Sequence, residues 1–486
     1  TRGSEATFVN AQGLIQSTNE IGSELVVNGD FATDSDWTKG TGSTISGGYL
    51  NHSGAAASDT TQYIPISQKE YRLEYTIVSG TGSVRFWSNI NAITPAKQSG
   101  VGTYVHYFFY DSSIGTDGRF AIALYDDISI DNVSVKEHIT ATNTPRLDYS
   151  TGAEAFLLEP QSTNLIPYSE DFSNASWVKS GLSVTDNTII SPDGTLNAAK
   201  LVEANQSGGK NVTGISFLAS TTNTFSVYAK ASEREWIIVY FNGGGNGGYY
   251  FDVKNGVIGT KVGSNTGTPL IEDAGNGWYR CSITHLSSSS SNVQLYIAQA
   301  DNVFSYQGDG TSGLYTWGAQ VEQNSFSTSY IPTSGASATR NQELCNNATP
   351  VINSEEGTLY AEISAFENSD GIYKEISVSD GTSSNRIEIR YIFNKIEFTA
   401  RIGGVSEVYG DFTPTSVFDF NKMAISYNGT DFKLYVNGSL VASDTSVNTF
   451  PDNTFTSLQF NSGAGASVFF GNTKDLKYYP KALADV

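Results

Sequence analysis

The 486-residue sequence contains little charge, and positive charge is especially scarce. Only 16% of the residues are charged, which leaves too few for the polar faces of long amphipathic helices. Lysine and arginine number 28 against 49 aspartates and glutamates, a formal charge of −21, and no basic cluster interrupts this deficit. Nucleic acids and anionic membranes attract concentrated positive charge, so we expect neither as a partner. The acidity favours solubility, and some carboxylates could bind Ca²⁺.

Residue types that often carry catalysis or crosslinks are also few. The two cysteines, Cys281 and Cys345, fall in different predicted domains without a metal-ligand spacing, so we expect free thiols and no metal there. The four histidines are isolated, and no His-Glu-x-x-His or Gly-x-Ser-x-Gly motif occurs. We predict that the protein is not an enzyme; the alternative, a glycosidase, would need two facing carboxylates whose pairing the sequence does not show.

Long apolar runs are missing as well. None approaches the ~18 residues of a transmembrane helix, so we expect no membrane insertion. The chain begins "TRGSEATFVN", with neither an initiator methionine nor a signal-peptide layout. We therefore expect it to be part of a longer or processed product.

Glycine, aromatic and small polar residues are abundant instead. There are 48 glycines and 12% aromatics, and short runs of alternating apolar and polar residues lie between turn residues. In "YRLEYTIVSG", for example, Tyr71, Leu73, Tyr75 and Ile77 would share one face of a strand. A chain of this length holds about three domains of ~100–200 residues. We predict an all-β protein with three β-sandwich domains in series, two of them jelly rolls.

The predicted boundaries follow changes in this pattern. Residues 1–20 form a leader segment that pairs with the middle domain, residues 21–139 form an inserted jelly roll, and residues 140–340 form a jelly-roll trunk domain. Residues 341–350 form a linker, because the sequence around them lacks periodicity and is rich in small residues. Residues 351–486 form the last sandwich.

One short pattern occurs twice. "ELVVNGDFATDSDWTKG" begins at residue 24 and "NLIPYSEDFSNASWVKS" begins at residue 164. In each, an apolar run leads to Asp-Phe and a tryptophan follows, from Phe31 to Trp37 and from Phe172 to Trp177. We interpret both as the opening strand of a jelly roll rather than as a repeated active site.

The last 136 residues resemble a known sandwich. In "SYNGTDFKLYVNGSLV", the dipeptides Asn428-Gly429 and Asn437-Gly438 favour tight hairpin turns between alternating strands. With "YPKALAD" near the end, this pattern resembles the concanavalin A-like lectin and laminin-G domains. The resemblance implies a sandwich fold, and it does not by itself imply sugar binding, because such domains also serve as spacers or protein-binding modules.

Residues 21–139 resemble the jelly-roll carbohydrate-binding modules found beside bacterial polysaccharidases. The resemblance rests on "NGDF" followed by a tryptophan, and on the acidic last strand "DDISIDNVSVKE". Several such modules hold a structural Ca²⁺ between their first and last strands, which implies Asp30, Asp127 and Asp131 as ligands here. The alternative is that these aspartates only cap turns.

Residues 140–340 resemble a recurrent module of tailed-bacteriophage structural proteins. The motifs are "RLDYSTGAEAFLLEPQSTNLIPYSEDF", "SPDGTLNAAKL", "GNGWYRCSIT", "YQGDGTSGLYTWGAQVE" and "TSYIPTSGASATR". In that family, a segment similar to "ATFVNAQGLI" commonly runs within a few residues into "PRLDY". Here the whole first jelly roll separates the two, as expected of a domain inserted at an exposed loop with close ends.

Exposed aromatic side chains are the natural candidates for sugar contacts, although any one of them is more often part of a core. The predicted glycan-binding residues are Trp87, Tyr104 and Tyr107 in the first jelly roll and Trp236, Tyr240, Tyr249 and Tyr250 in the second. The glycine-rich tip of "IVYFNGGGNGGYYF" would be an exposed hairpin suited to a contact.

These features together predict a virion structural protein of a tailed phage, part of a fibre or appendage on the virion surface, that binds host cell-surface polysaccharide. Its other expected partners are virion proteins, and we expect a homotrimer by analogy with such appendages. Several weak sites on one particle would add avidity of about 10²–10⁴. The alternatives are a capsid decoration or head fibre protein that binds no glycan, and an ancillary region of a secreted bacterial polysaccharidase or adhesin.

Overall fold

A computed structural model describes residues 2–54, 58–88, 91–94, 97–110, 118–139, 143–217, 221–243, 246–264, 267–286, 289, 291–345, 350–366, 371–445 and 448–483. Every regular element in these ranges is a β-strand, which confirms the all-β prediction. No helix among them is long and apolar enough to cross a membrane. The chain divides into two compact units, a main unit of residues 1–18 and 142–486 and an inserted unit of residues 19–141.

The leader segment forms a small antiparallel pair within the main unit. Its strands are β1 (Thr7–Val9) and β2 (Ile15–Ser17). The amide of Ile15 donates to the carbonyl of Pro192 at 2.9 Å, and the amide of Tyr149 donates to the carbonyl of Val9 at 2.9 Å. The leader therefore contacts the segment that follows the inserted unit.

The inserted unit contains two sheets. Its strands are β3 (Glu20–Glu24), β4 (Ser43–Ser46), β5 (Tyr49–His52), β6 (Ser58–Tyr63), β7 (Glu70–Gly80), β8 (Ser83–Ser88), β9 (Asn91–Ala92), β10 (Gln98–Ser99), β11 (Gly102–Phe109), β12 (Arg119–Tyr125) and β13 (Ile128–Ile139). One sheet has the order β11-β7-β13-β5-β4, with β3 beside β13, and the other has the order β10-β8-β12-β6, with β9 beside β8. The four alternate residues of β7 from Tyr71 to Ile77 are all buried, as their period of two predicts.

The middle region of the main unit, residues 143–345, contributes seventeen strands among the described residues. They are β14 (Leu147–Asp148), β15 (Ala155–Leu158), β16 (Ser162–Asn164), β17 (Val178–Ser180), β18 (Leu182–Ile189), β19 (Ala198–Glu203), β20 (Ser207–Phe217), β21 (Thr222–Lys230), β22 (Trp236–Gly243), β23 (Gly247–Asp252), β24 (Val257–Gly263), β25 (Thr268–Asp273), β26 (Trp278–Leu286), β27 (Ser291–Ala298), β28 (Ser305–Gln307), β29 (Gly313–Glu322) and β30 (Ala338–Arg340). One sheet has the order β17-β20-β27-β22-β23-β24, with β28 beside β20, and the other has the order β18-β19-β29-β21-β26-β25. Apolar residues of both sheets form one buried core.

The repeated sequence pattern corresponds to a repeated local structure. The rings of Phe31 and Trp37 lie 5.5 Å apart and those of Phe172 and Trp177 lie 4.9 Å apart, and all four residues are buried. Each indole N–H donates to the carbonyl of the residue nine positions earlier, at 3.0 Å in the first case and 2.9 Å in the second. In both copies of the pattern, the phenylalanine and tryptophan rings pack in a core. The backbone carbonyl satisfies the buried indole N–H donor.

The last region of the main unit forms a further pair of sheets. Its strands are β31 (Glu356–Ala365), β32 (Lys374–Ser379), β33 (Arg386–Ile392), β34 (Lys395–Ile402), β35 (Val405–Phe412), β36 (Asn421–Asn428), β37 (Asp431–Val436), β38 (Ser439–Asp444), β39 (Ser457–Gln459) and β40 (Gly471–Tyr479). A five-stranded sheet has the order β35-β34-β33-β32-β39. The two-residue turn at Asn437 and Gly438 has φ of 50° and 79°, as a tight hairpin turn requires.

The second sheet of this region includes strands from an earlier part of the chain. Its order is β14-β15-β40-β31-β36-β37-β38, and Leu157 of β15 pairs with Asn472 of β40. Residues 147–158 were predicted to belong to the trunk domain, whereas their strands β14 and β15 extend the last sheet. A local pattern of alternating apolar and polar residues does not show which strand more than three hundred residues away will be the partner.

Candidate functional site

The outer face of the sheet that contains β22 carries a cluster of aromatic side chains. Alternate residues of β22 divide between the two faces of this sheet. Ile237 and Val239 pack in the core of the middle region, whereas Trp236, Ile238 and Tyr240 lie on the opposite face. The cluster is therefore separate from the core.

Strand register aligns the members of this cluster. Tyr296 of β27 pairs with Ile238, which in turn pairs with Tyr250 of β23, and Gln294 pairs with Tyr240 in the adjacent row. The rings of Tyr240 and Tyr296 lie 5.9 Å apart at an angle of 73°, an edge-to-face arrangement that aromatic pairs favour. The edge of one ring therefore supports the face of the other.

Phe304 extends the cluster towards solvent. Its ring lies 5.9 Å from that of Tyr296, at an angle of 79°, and 40% of the residue is exposed. Trp236, Tyr240 and Tyr296 are half-buried. We call these four residues the aromatic face.

Two glycines shape the aromatic face from below. A Cβ atom on Gly259 would lie 2.5 Å from Cζ3 of Trp236 and 2.6 Å from Oδ1 of Asp301, so the bare backbone leaves the space that these groups fill. A Cβ on Gly248, which pairs with Tyr240, would lie 2.0 Å from the carbonyl oxygen of Val239. Residue 248 therefore has no side chain beside Tyr240, and the next residue in this row is Val262 of β24, which packs in the same cluster.

Polar groups lie among the rings in fixed positions. The hydroxyl of Tyr296 donates to Oε1 of Gln294 at 2.7 Å, and Nε2 of Gln294 donates to Oγ1 of Thr213 at 3.2 Å. Beside Trp236, the carboxylate of Asp301 accepts hydrogen bonds from the amide and hydroxyl of Thr260 at 2.8 and 2.7 Å. These bonds orient the amide and carboxylate groups before any ligand binds.

Burial keeps the phenols of the aromatic face neutral. Desolvation raises the pKa of Tyr240, and desolvation together with the neighbouring Tyr240 raises the pKa of Tyr296. Both hydroxyls therefore keep their protons at neutral pH and can donate or accept hydrogen bonds. The face offers apolar ring surface edged by neutral hydroxyl and amide groups.

The structure brings together three of the four aromatic residues predicted in this region. Trp236, Tyr240 and Tyr250 share the outer face, but Tyr250 is fully buried beneath its neighbours and presents no ring to a ligand. Tyr249 lies on the other side of β23 and packs against the core. The tip of the predicted glycine-rich hairpin, residues 244–245, lies outside the described residues.

The aromatic residues predicted in the inserted unit are not brought together. Trp87 lies half-buried on β8 with the guanidinium carbon of Arg85 4.3 Å from its ring centre. Tyr104 and Tyr107 belong to β11 of the other sheet. Tyr104 stacks on the buried Tyr75, with ring centres 5.5 Å apart, whereas Tyr107 is 55% exposed. The three side chains therefore form no common platform.

Two of the predicted calcium ligands accept hydrogen bonds from backbone amides. Asp127 accepts a hydrogen bond from the amide of Gly54 at 3.2 Å, and Asp131 accepts one from the amide of Asn132 at 2.7 Å. Burial and, to a smaller extent, the nearby Asp30 raise the pKa of Asp131. Across the described ranges, no three His, Cys, Asp or Glu side chains are grouped as metal ligands. The calcium site stays a prediction, which a melting-temperature titration with Ca²⁺ of the wild type and Asp30→Asn tests.

Sequence reasoning missed half of the aromatic face. Tyr296 and Phe304 were not among the predicted residues, and neither was Gln294. The alternation in "NVQLYIAQA" places Gln294 and Tyr296 on one face of a strand. Only the pairing of β27 with β22 shows that this face is shared with Tyr240.

Comparison with known proteins assigns the last region of the chain. Residues 339–485 match the family model of the concanavalin A-like lectin/glucanase superfamily. This part of the chain is a concanavalin A-like domain. The finding confirms the sandwich fold that the hairpin motifs of residues 351–486 implied.

More distant comparisons add little about the rest of the chain. Domains LG4-5 of the mouse laminin alpha1 chain align with 58% of this chain and 89% of that chain, at 9% identity and a TM-score of 0.22. A likeness of this size supports no structural argument, and the assignment of the last domain rests on the family model. No curated protein matches the sequence.

Proposed function

We propose that the protein is a glycan-binding protein and that the aromatic face is its saccharide site. The observation that carries this proposal is the pairing of the half-buried Tyr240 and Tyr296 rings with the fixed amide of Gln294. A pyranose has apolar C–H faces surrounded by hydroxyl groups, so it fits a surface of ring faces edged by oriented hydrogen-bonding groups. The presence of a lectin-like domain in the same chain supports a binding role.

The form of the site favours weak rather than tight binding. The aromatic face is a sheet surface with one exposed edge at Phe304, so a ligand lying on it keeps one side in water. Several copies on one assembly would compensate by avidity of about 10²–10⁴. A homotrimer is the assembly that we propose, and light scattering of the purified chain tests it.

The proposed biological setting is the surface of a tailed phage, where the protein would act as a fibre or appendage that attaches to host polysaccharide. The support for this setting is the set of long motifs in residues 140–340 that resemble phage structural modules. The rival proposal is a decoration or head fibre protein that contacts only other virion proteins. Electron microscopy of a particle labelled with an antibody to this chain would distinguish head from tail.

A glycan array and a host-cell binding assay test the saccharide site directly. We expect the wild type to bind at least one polysaccharide, and Tyr240→Ala and Tyr296→Ala to weaken that binding about fivefold, since stacking of one ring contributes about 1 kcal/mol. Tyr49→Ala, which removes a tyrosine that is 37% exposed in the inserted unit, is the matched control and should bind normally. No binding by the wild type to any array or cell would refute the proposal in favour of the structural role.

A further inference from the structure

The concanavalin A-like domain contains a cleft on the outer face of its five-stranded sheet. The cleft has a volume of about 560 Å³ and opens beside β33, β34 and β35. Its lining comes from the sheet and from the loop of residues 461–467. Aliphatic residues of the same strands, such as Ile387 and Ile389, pack in the domain core on the other face. The cleft is lined instead with arginine, glutamate, serine and tyrosine.

Glu388 is the centre of a buried ion-pair network in this cleft. The residue is fully buried. Its Oε1 atom accepts hydrogen bonds from Arg390 Nη1 at 2.9 Å and from Thr399 Oγ1 at 2.7 Å, and its Oε2 atom lies 2.8 Å from Arg386 Nε. Arg386 also donates to the carbonyl of Ser462 in the covering loop at 2.7 Å. These contacts satisfy Oε1 of Glu388, whereas its Oε2 atom and Nε of Arg386 form an ion pair but no hydrogen bond among the described residues.

Arg390 is engaged in the same way, but the third arginine is not. Arg390 pairs with Glu397 at 2.9 Å and lies 4.0 Å from the ring centre of Tyr373. Arg401 pairs with Arg386 across β33 and β34, so both lie on the cleft side of the sheet. Among the described residues, none forms a hydrogen bond or an ion pair with the half-buried side chain of Arg401. The cleft therefore contains a guanidinium group with no anionic partner.

A second buried carboxyl group in the cleft has only a long ion pair, because Oε2 of Glu375 lies 4.0 Å from Nη1 of Arg386. Glu375 is 2% exposed, and its Oε2 atom accepts no hydrogen bond from any donor in the described part of the chain. Burial, and then repulsion by Glu388, raise the pKa of Glu375 to about 7. The charged groups facing it are Glu388, Arg386 and Arg390, while the loop above contributes only asparagine, serine, glycine and alanine. Glu375 therefore keeps its proton in mildly acidic solution.

The charges of the cleft do not cancel when Glu375 is protonated. Arg386, Arg390 and Arg401 contribute three positive charges, and Glu388 and Glu397 contribute two negative charges. The remaining positive charge is notable in a chain with a formal charge of −21. One anionic group at Arg401 would complete the balance.

We infer that this cleft binds the carboxylate of an acidic sugar residue, with Arg401 as its partner. A planar carboxylate matches the two-pronged hydrogen-bonding edge of a guanidinium. Tyr409, which is 56% exposed and is fixed by a hydrogen bond to Glu397 at 3.0 Å, offers ring surface to the sugar. The hydroxyl groups of Ser383 and Ser406 in the lining can bond to ring hydroxyls. This site lies in a different sheet from the aromatic face and does not depend on it.

Calorimetric titration of the full chain with glucuronate, glucose and acetate tests the inference. At pH 6, saturable binding is expected for glucuronate, with no detectable binding of glucose and weaker binding of acetate, because acetate has the charge without the ring. Arg401→Gln should weaken glucuronate binding about tenfold or more, as expected for loss of a charge-assisted pair. The affinity of the wild type should fall as the pH rises through 7, because Glu375 then loses its proton.

The matched control is Lys422→Gln, which removes one positive charge from an exposed position in the other sheet of the same domain. Its affinity for glucuronate should equal that of the wild type, and the melting temperatures of both variants show whether they are folded. Absence of glucuronate binding, or equal binding by folded Arg401→Gln and the wild type, would overturn the inference. Equal affinity for acetate and glucuronate would also overturn it, by showing that the cleft recognises any small carboxylate. Tyr240→Ala should leave glucuronate binding unchanged, so the test of the cleft can fail or succeed independently of the test of the aromatic face.

Discussion

Arg146 Nε donates a hydrogen bond to Glu343 Oε1 at 2.7 Å, although 197 residues separate the two in sequence. Both side chains are buried. Arg146 also pairs with Glu159 at 2.8 Å, and Glu343 accepts a hydrogen bond from Arg2 of the leader at 2.7 Å. The leader, the segment that follows the inserted unit and the first residues of the concanavalin A-like domain thus converge on one buried network.

Removal of Arg146 should destabilise the main unit strongly. Arg146→Met leaves Glu159 and Glu343 buried without their shared cation, and breaking a buried pair in this way costs about 3–5 kcal/mol. The free energy of unfolding from urea titration measures the loss. Lys254→Met, which breaks an exposed pair with Glu235, is the control and should have a far smaller effect. Equal losses of unfolding free energy in Arg146→Met and Lys254→Met would show that burial does not increase the contribution of an ion pair to stability.

The same network should make the free energy of unfolding depend on pH in acidic solution. Burial alone would raise the pKa of Glu159, but Arg340, Arg146 and hydrogen bonds from Ser329 outweigh it and lower the pKa to about 2, from an ordinary 4.5. A carboxylate with a lowered pKa contributes stability above its unfolded value, and this contribution is lost as the pH falls from 4.5 towards 2. The free energy of unfolding, measured at several pH values in this window, should therefore change less with pH for Glu159→Gln than for the wild type. An unchanged pH dependence would contradict the assignment.

Glu375 should produce the opposite dependence at higher pH. Its pKa is raised to about 7 from 4.5, mainly by burial, so its contribution to stability is complete below pH 4.5 and is lost as the pH rises through 7. The difference in unfolding free energy between Glu375→Gln and the wild type, measured at pH 5 and pH 8, isolates this group from other carboxylates. The variant should lose less stability than the wild type over this interval. A difference independent of pH would show that Glu375 does not titrate there.

A single methyl group should disturb the aromatic face. In Gly259→Ala, the added Cβ would lie 2.5 Å from Trp236 and 2.6 Å from Asp301, so both side chains must move. We expect weaker polysaccharide binding with little change in melting temperature, because Trp236 is only half-buried and lies outside the main core. Leu270→Ala, at an exposed position on the opposite sheet, is the control. Unchanged affinity in Gly259→Ala would exclude Trp236 from the site.

Much of the fold could be predicted because its signals are local. The alternation from Tyr71 to Ile77 marks a strand and its buried face, and Asn437-Gly438 marks a hairpin turn whose backbone angles few other dipeptides adopt. The repeat of Phe and Trp predicted two opening strands, whereas both segments are loops between strands, in which each Trp bonds to a carbonyl nine residues away. Such features require no knowledge of distant partners.

The candidate site was predicted only in part, because its residues come from strands that are distant in sequence. Alternation alone assigns Tyr240 and Tyr249 to faces of their own strands, but it does not say which face meets the core. The structure places Tyr249 against the core and Tyr240 outside it, because β22 and β23 pair in the register that sets Tyr240 opposite Gly248. Trp87 and Tyr107 were grouped by type, whereas their strands belong to different sheets.

By itself, the sequence determined the all-β class, the buried face of strands such as that from Tyr71 to Ile77 and the concanavalin A-like fold of the last domain, because period-two alternation and turn dipeptides act over a few residues. Only the tertiary structure decided which side chains meet. It placed β15 beside β40, Arg146 beside Glu343, and Glu375 in a cleft with Arg401. These contacts depend on strand order and register across hundreds of residues, where the free energy of packing the whole domain, rather than any local preference, selects the partners.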